Sequence, residues 1–134
     1  MGQHENTRIA EGLLALLGGQ PGDDEIASIF STNLQWEIAG DDGAFPWIGK
    51  KQGRTAVGEF VRDTGAMVER LRFDVKDVLV NSQRAVILGE LATRVKSTGK
   101  TIETAFALVL TISDGLITRF QMLEDSFAVS QAAR

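Results

Sequence analysis

The stretch LITRFQMLED closes on two adjacent acids, Glu124 and Asp125, after Phe120 and Met122 have alternated with Arg119 and Gln121. A third acid, Glu90, lies among Val86, Leu88 and Ala92, with Arg94 four residues further on. A carboxyl group among apolar side chains loses the hydration of its charged form. Its pKa then rises toward neutrality, which suits it to give or take a proton. Strand alternation sets Phe120, Met122 and Glu124 on one face and Arg119, Gln121, Leu123 and Asp125 on the other. Only one of the two adjacent acids can share a face with the large side chains, unless the strand bulges or ends between them. The orientation of Glu90 depends on the turn STGK. A two-residue loop pairs it with the small-residue face of the next strand, and a three-residue loop turns it the other way. Each acid also has a plainer role open to it: Glu124 and Asp125 as the solvated end of a strand, Glu90 as a rim acid paired with Arg94.

What is missing narrows the chemistry further. The chain has no Cys and no Tyr, and its one histidine, His4, lies in a polar N-terminal stretch. Thiol nucleophiles, disulfides and Cys/His metal sites are excluded, and a Ser-His-Asp triad would need His4 to fold back into a site. No run has the spacing of a calcium loop, so no metal and no cofactor is expected. Acid–base work must rest on Asp125, Glu124 and Glu90, helped by Lys, Arg, indole N–H groups and backbone. Trp36, Trp47, Phe60, Met67, Phe106, Leu108, Phe120 and Met122 are the candidate lining of a substrate pocket, in which each indole could offer an N–H to a polar ligand atom.

A length of 134 residues with 43% apolar and 24% charged residues fits one folded domain over residues 1–134. The formal net charge of −4 provides no electrostatic attraction to nucleic acid or anionic lipid. Lys50, Lys51 and Arg54 cluster in GKKQGR, which reads as a solvated loop. The apolar run AFALVL is far shorter than the ~20 residues that span a bilayer. The start MGQHENT has neither the basic flank nor the apolar region of a secretory signal, and Asn6 replaces the Ser or Thr that a myristoylation motif needs. A soluble cytoplasmic protein is expected.

The elements that must position these residues follow from periodicity. Ile9, Ala10, Leu13, Leu14, Leu16 and Leu17 form one helical stripe, stopped by Gly18-Gly19. GDDEIASIF writes a short second helix with Asp23 as its cap. TNLQWEIAG has brief strand character. GRTAVGEFVRDTGAMVERL writes a third helix whose stripe runs from Ala56 through Phe60 and Thr64 to Val68 and Leu71. From residue 72 the period becomes two, and FDVKDVLV, RAVILGELATRVK, TIETAFALVLTI and LITRFQMLE read as four strands joined by NSQ, STGK and SDG. Connections this short make antiparallel neighbours. In TIETAFALVLTI the bulky face (Ile102, Phe106, Leu108, Leu110, Ile112) belongs under the helices. The opposite face (Ala105, Ala107, Val109) is too apolar for open water, which predicts a homodimer packed through the sheet.

In this order, LQWEIAG, WIG, GRTAV followed by Phe60, STGK and SDGLITRF with the terminal ED resemble the SnoaL-like, polyketide cyclase and ketosteroid isomerase-like branch of the nuclear transport factor 2-like superfamily. The likeness spans nearly the whole chain. It implies an α+β fold: a cone-shaped barrel of a curved, mostly antiparallel sheet wrapped around a long helix, two further N-terminal helices, and an apolar pocket at one end. The superfamily includes cyclases, isomerases, epoxide hydrolases and members that only bind, so fold alone does not settle function. The isomerase branch uses a Tyr and a protonated Asp; here there is no Tyr, and Leu108 holds the matching strand position. The epoxide hydrolase branch uses an Arg and two Asp at places held here by Glu90, Ala92 and Met122. The cyclase pattern has an acid about eight residues past the Ile of the DGxI turn, which falls on Asp125. The resemblance thus implies a protein that binds a small apolar or polycyclic molecule, either as a cofactor-free isomerase, cyclase or hydratase or as a dimeric ligand-binding module without turnover.

Overall fold

The computed structural model describes residues 2–134. Helices α1 (Gln3–Leu17) and α2 (Asp23–Ile29) lead into strands β1 (Phe30–Ile38) and β2 (Gly49–Gln52), then helix α3 (Thr55–Met67). Strands β3 (Val68–Val80), β4 (Arg84–Val95), β5 (Thr101–Ser113) and β6 (Leu116–Glu124) follow, and helix α4 (Ser126–Ala133) ends the chain. All six strands form one sheet in the order β2-β1-β6-β5-β4-β3, antiparallel except for β1 beside β6. The sheet curves into a cone over the helices, as the α+β expectation has it.

The strand faces divide as alternation requires. Ile102, Phe106, Leu108, Leu110 and Ile112 of β5 are buried under the helices, and Gly89, Ile87 and Ala85, the β4 partners of Phe106, Leu108 and Leu110, are buried with them. From α1 the stripe of Ala10, Leu13 and Leu16 enters the same core. Asn6, buried on that stripe, donates from Nδ2 to the Asn81 carbonyl at 3.0 Å, which ties α1 to the β3–β4 turn. In the β5–β6 hairpin Asp114 and Gly115 both have positive φ (52° and 77°), the conformation that tight two-residue turns require.

Gly89 is an obligatory gap. The ring of Phe106 lies directly over it, and a Cβ built there would stand 2.7 Å from Phe106 Cζ and 2.2 Å from the Asp74 carbonyl oxygen. The bulge of β3 between Val75 and Asp77 falls beside this position. Phe73 then stacks on Phe106 with centroids 4.8 Å apart.

Four boundaries differ from the periodicity reading. Gly22, not Asp23, is the N-cap of α2, and its N–H donates to Glu25 Oε1 at 3.2 Å. α3 stops at Met67, and Val68 and Leu71 lie on β3, because β-branched Val68 pairs with Val95 instead of continuing a helix weakened by Gly65. GKKQ is an edge strand, not a loop: Lys50 and Lys51 pair across from Glu37 and Trp36 of β1, and charge suits an unpaired edge. The last element, α4, was not read from the sequence, although Asp125 followed by helix-forming residues carried its start signal.

Gly89→Ala is expected to destabilise the protein by at least about 2 kcal/mol, since backbone and a packed ring must both move. A urea midpoint near that of the parent would show that the Phe106 ring and β3 yield more easily than their contacts imply.

Candidate functional site

The helices do not fill the cone. A cavity of about 400 Å3 remains beneath α3, within the range of small-ligand sites. Trp47, Phe60, Leu108, Phe120 and Met122 line it, as expected from the sequence. One wall is a continuous aromatic cluster. Trp36 stacks on Phe120 (4.3 Å, 10°), Phe45 stacks on Trp47 (4.6 Å, 7°), and Phe60 meets Trp36 at 5.2 Å and Trp47 edge-on at 6.0 Å. Stacked rings of this kind are rigid, so the wall is preformed. The opposite side is built from β3 and β4, with Phe73, Leu91, Thr93 and Arg70, and Val129 of α4 closes one end.

Glu124 belongs to this lining. It pairs with Phe106 across the β5–β6 ladder, one step beyond Met122 opposite Leu108, so alternation carries it onto the concave face. No described residue gives its carboxyl a hydrogen bond or an ion pair. Burial alone therefore acts on it, pushing its pKa from 4.5 up to about 7. In the same row the Phe106 ring lies over Gly89 on the side away from Glu124.

Asp125 does different work. Its N–H is taken by Thr104 Oγ1 at 2.9 Å, which ends the ladder, and its Oδ1 accepts from Ala128 N–H at 3.1 Å as the N-cap of α4. It is exposed and lies outside the cavity lining. Parity thus prevails over the position that family resemblance favoured, because the chain turns into a helix immediately after Glu124. Glu90 is also away from the cavity: the register sets it opposite Ala105 and Asp74, exposed on the convex face. Arg94, its expected partner, pairs instead with Glu69 at 2.9 Å.

Three expected lining residues stand behind or outside the wall. Trp36 is buried under Phe120, and its indole N–H, expected to face a ligand, donates to the Trp47 carbonyl at 3.4 Å. Phe106 is covered by Phe73. Met67, the last residue of α3, is 37% exposed and is not part of the cavity lining. The sequence reading missed Phe45, Arg70, Phe73 and Val129. Phe73 was recoverable from alternation on FDVKDVLV; Arg70 was hidden by extending the helix through it.

A model of the SnoaL-like domain matches residues 11–120. A nuclear transport factor 2-like protein of Burkholderia xenovorans superposes with a TM-score of 0.90 at 22% identity, covering 100% of this chain and 99% of that one. A Rhodopseudomonas palustris protein described as a candidate isomerase gives 0.77 at 26% identity over 99% and 98% of the two chains. TerC, co-crystallised with polyporic acid, gives 0.73 at 22% identity over 93% and 97%. No curated protein matches.

The raised pKa of Glu124 has a definite stability signature. Below pH 4.5 the group is protonated whether the chain is folded or not. Between 4.5 and about 7 the unfolded chain releases the proton while the folded one holds it, so stability falls with rising pH across that window. The full shift amounts to about 3 kcal/mol at most. Glu124→Gln is expected to unfold at the parent's temperature near pH 4.5 and roughly 5 °C or more above it beyond pH 7. Parallel melting curves at every pH would mean that the carboxyl is solvated.

Proposed function

The chain belongs to the SnoaL-like domain family, and on that premise we propose that it binds a small, largely apolar molecule in the cavity and moves a proton on it, with Glu124 as the acid–base group. The observation that carries this reading is a carboxyl in the wall of an aromatic cavity, without a partner among the described residues and pushed by burial up to about 7. At neutral pH both protonation states of such a group are populated, so it can take a proton from one carbon of a bound ketone and return it to another atom. The aromatic wall fixes the plane of the ligand, and exclusion of water keeps the transferred proton on the ligand–Glu124 pair.

Asp125 and Glu90 have no part in this reading, because one caps α4 and the other faces away from the cavity. A second reading keeps the binding and drops the turnover. It is favoured by the state of the polar groups near the wall: the Trp36 N–H is engaged by the Trp47 carbonyl, and the Thr64 hydroxyl donates to the Phe60 carbonyl at 2.7 Å. Neither is free to stabilise an enolate.

The convex sheet face supports dimerisation as a further part of the proposal. Leu79, Val86 and Val109 form one row across three strands, and Leu88, Ala107 and Leu123 form the next. Leu79, Leu88 and Leu123 are 52%, 36% and 43% exposed, a contiguous apolar surface suited to a second copy of the chain.

2-Tetralone, an apolar bicyclic ketone with exchangeable α-hydrogens, separates the two readings. Proton transfer predicts protein-accelerated deuterium exchange at its α-carbon, rising with pH about a midpoint near 7 and slowed about 100-fold or more in Glu124→Gln. Binding without exchange, with Glu124→Gln altering affinity only, would leave the non-catalytic module. For the interface, the double substitution of Leu88 and Leu123 by Glu should convert a dimer to a monomer in sedimentation equilibrium; an unchanged mass would rule out this face.

A further inference from the structure

Two arginines line the cavity, and they differ in what holds them. Arg72 Nη1 is engaged by Asp74 Oδ2 at 3.2 Å. Arg70, one step nearer the start of β3 and opposite Thr93, has no carboxylate partner among the described residues. Its guanidinium carbon instead lies 4.6 Å from the centre of the Phe73 ring. Phe73 is in turn braced by Phe106, so the platform is rigid. A guanidinium resting on a ring face keeps its N–H donors around its edge, in the fork that matches a planar oxyanion. The side chain is exposed while lining the cavity, which places it at the mouth, where an incoming ligand meets it.

We infer that the ligand of this cavity is a flat apolar molecule bearing a carboxylate-like oxyanion, held at the mouth by Arg70 while its ring system lies among the aromatic side chains. The inference rests on the reading of the cavity as the ligand site. It assigns Arg70 as the residue that selects for charge, a role separate from proton transfer at Glu124. A charge-assisted, two-pronged hydrogen bond to an exposed arginine should favour the anion about tenfold over an uncharged ligand of the same shape.

The test compares 2-naphthoate with its uncharged counterpart 2-naphthamide, followed by quenching of tryptophan fluorescence. Working at about pH 6 leaves Glu124 mostly protonated, so that like-charge repulsion does not mask the preference. The expected result is naphthoate binding about tenfold tighter than naphthamide in the parent protein, with the margin shrinking as salt is raised. Arg70→Gln should abolish the margin by weakening naphthoate about tenfold more than naphthamide, and Arg70→Lys should keep part of it. Equal affinities in the parent, or a margin that survives Arg70→Gln, would overturn the assignment of Arg70 while leaving the cavity a ligand site. If neither probe binds, the reading of the cavity itself fails and the inference falls with it.

Discussion

The register of β5 between its two neighbours is the constraint on which the site depends. One row across the sheet contains Gly89, Phe106 and Glu124. A side chain at the first position would collide with both backbone and ring, so the glycine is what lets Phe106 lie flat toward β4. On the other side of the ring in that row, Glu124 lines the cavity. A shift of one residue in either ladder would exchange the two faces of the sheet, burying small residues and exposing the bulky ones. The size mismatch between those faces makes such a shift costly, which keeps the carboxyl on the concave side.

Glu124 gains nothing from ion pairing, since no cation among the described residues pairs with it. The protein's other charges show the contrast. Glu37 is met by Arg119 at 3.1 Å and Lys50 at 3.8 Å on the convex side, and Asp41 is held below the ordinary carboxylate range by the Ser130 hydroxyl, Arg134 and the Gly43 N–H. Both acids are dedicated to structure: Glu37 cross-links β1, β2 and β6, and Asp41 anchors α4 to the loop after β1. An acid left without such partners inside an aromatic cavity imposes a cost on folding that the rest of the core must offset. Retention of strain of this kind is typical of groups that act on a ligand.

Much of this arrangement is written locally. The period-two pattern from Phe73 onward defines four strands, their short turns make them antiparallel, and the alternation of Phe120, Met122 and Glu124 states which acid shares a face with the large side chains. Elsewhere local pattern misleads. The apolar spacing that runs through Thr64, Val68 and Leu71 satisfies a helix as well as a strand start, and only the ladder with β4 decides between them. GKKQ has no apolar alternation because it is an edge, and its strand character comes from pairing with β1. The parallel contact of β1 with β6 joins residues more than eighty positions apart, beyond the reach of any local signal.

From the sequence alone come the α+β class, the exclusion of thiol and histidine chemistry, and the three acids among which a proton carrier could be sought. These follow from residue identity and backbone period, which are properties of short segments. Tertiary structure alone decided which acid meets the cavity, that Asp125 is a helix cap, that Glu90 faces outward, and that Arg70 rests on the ring of Phe73. Those outcomes depend on the register between strands and on where a strand gives way to a helix, and register is set by the packing of the whole sheet against its helices.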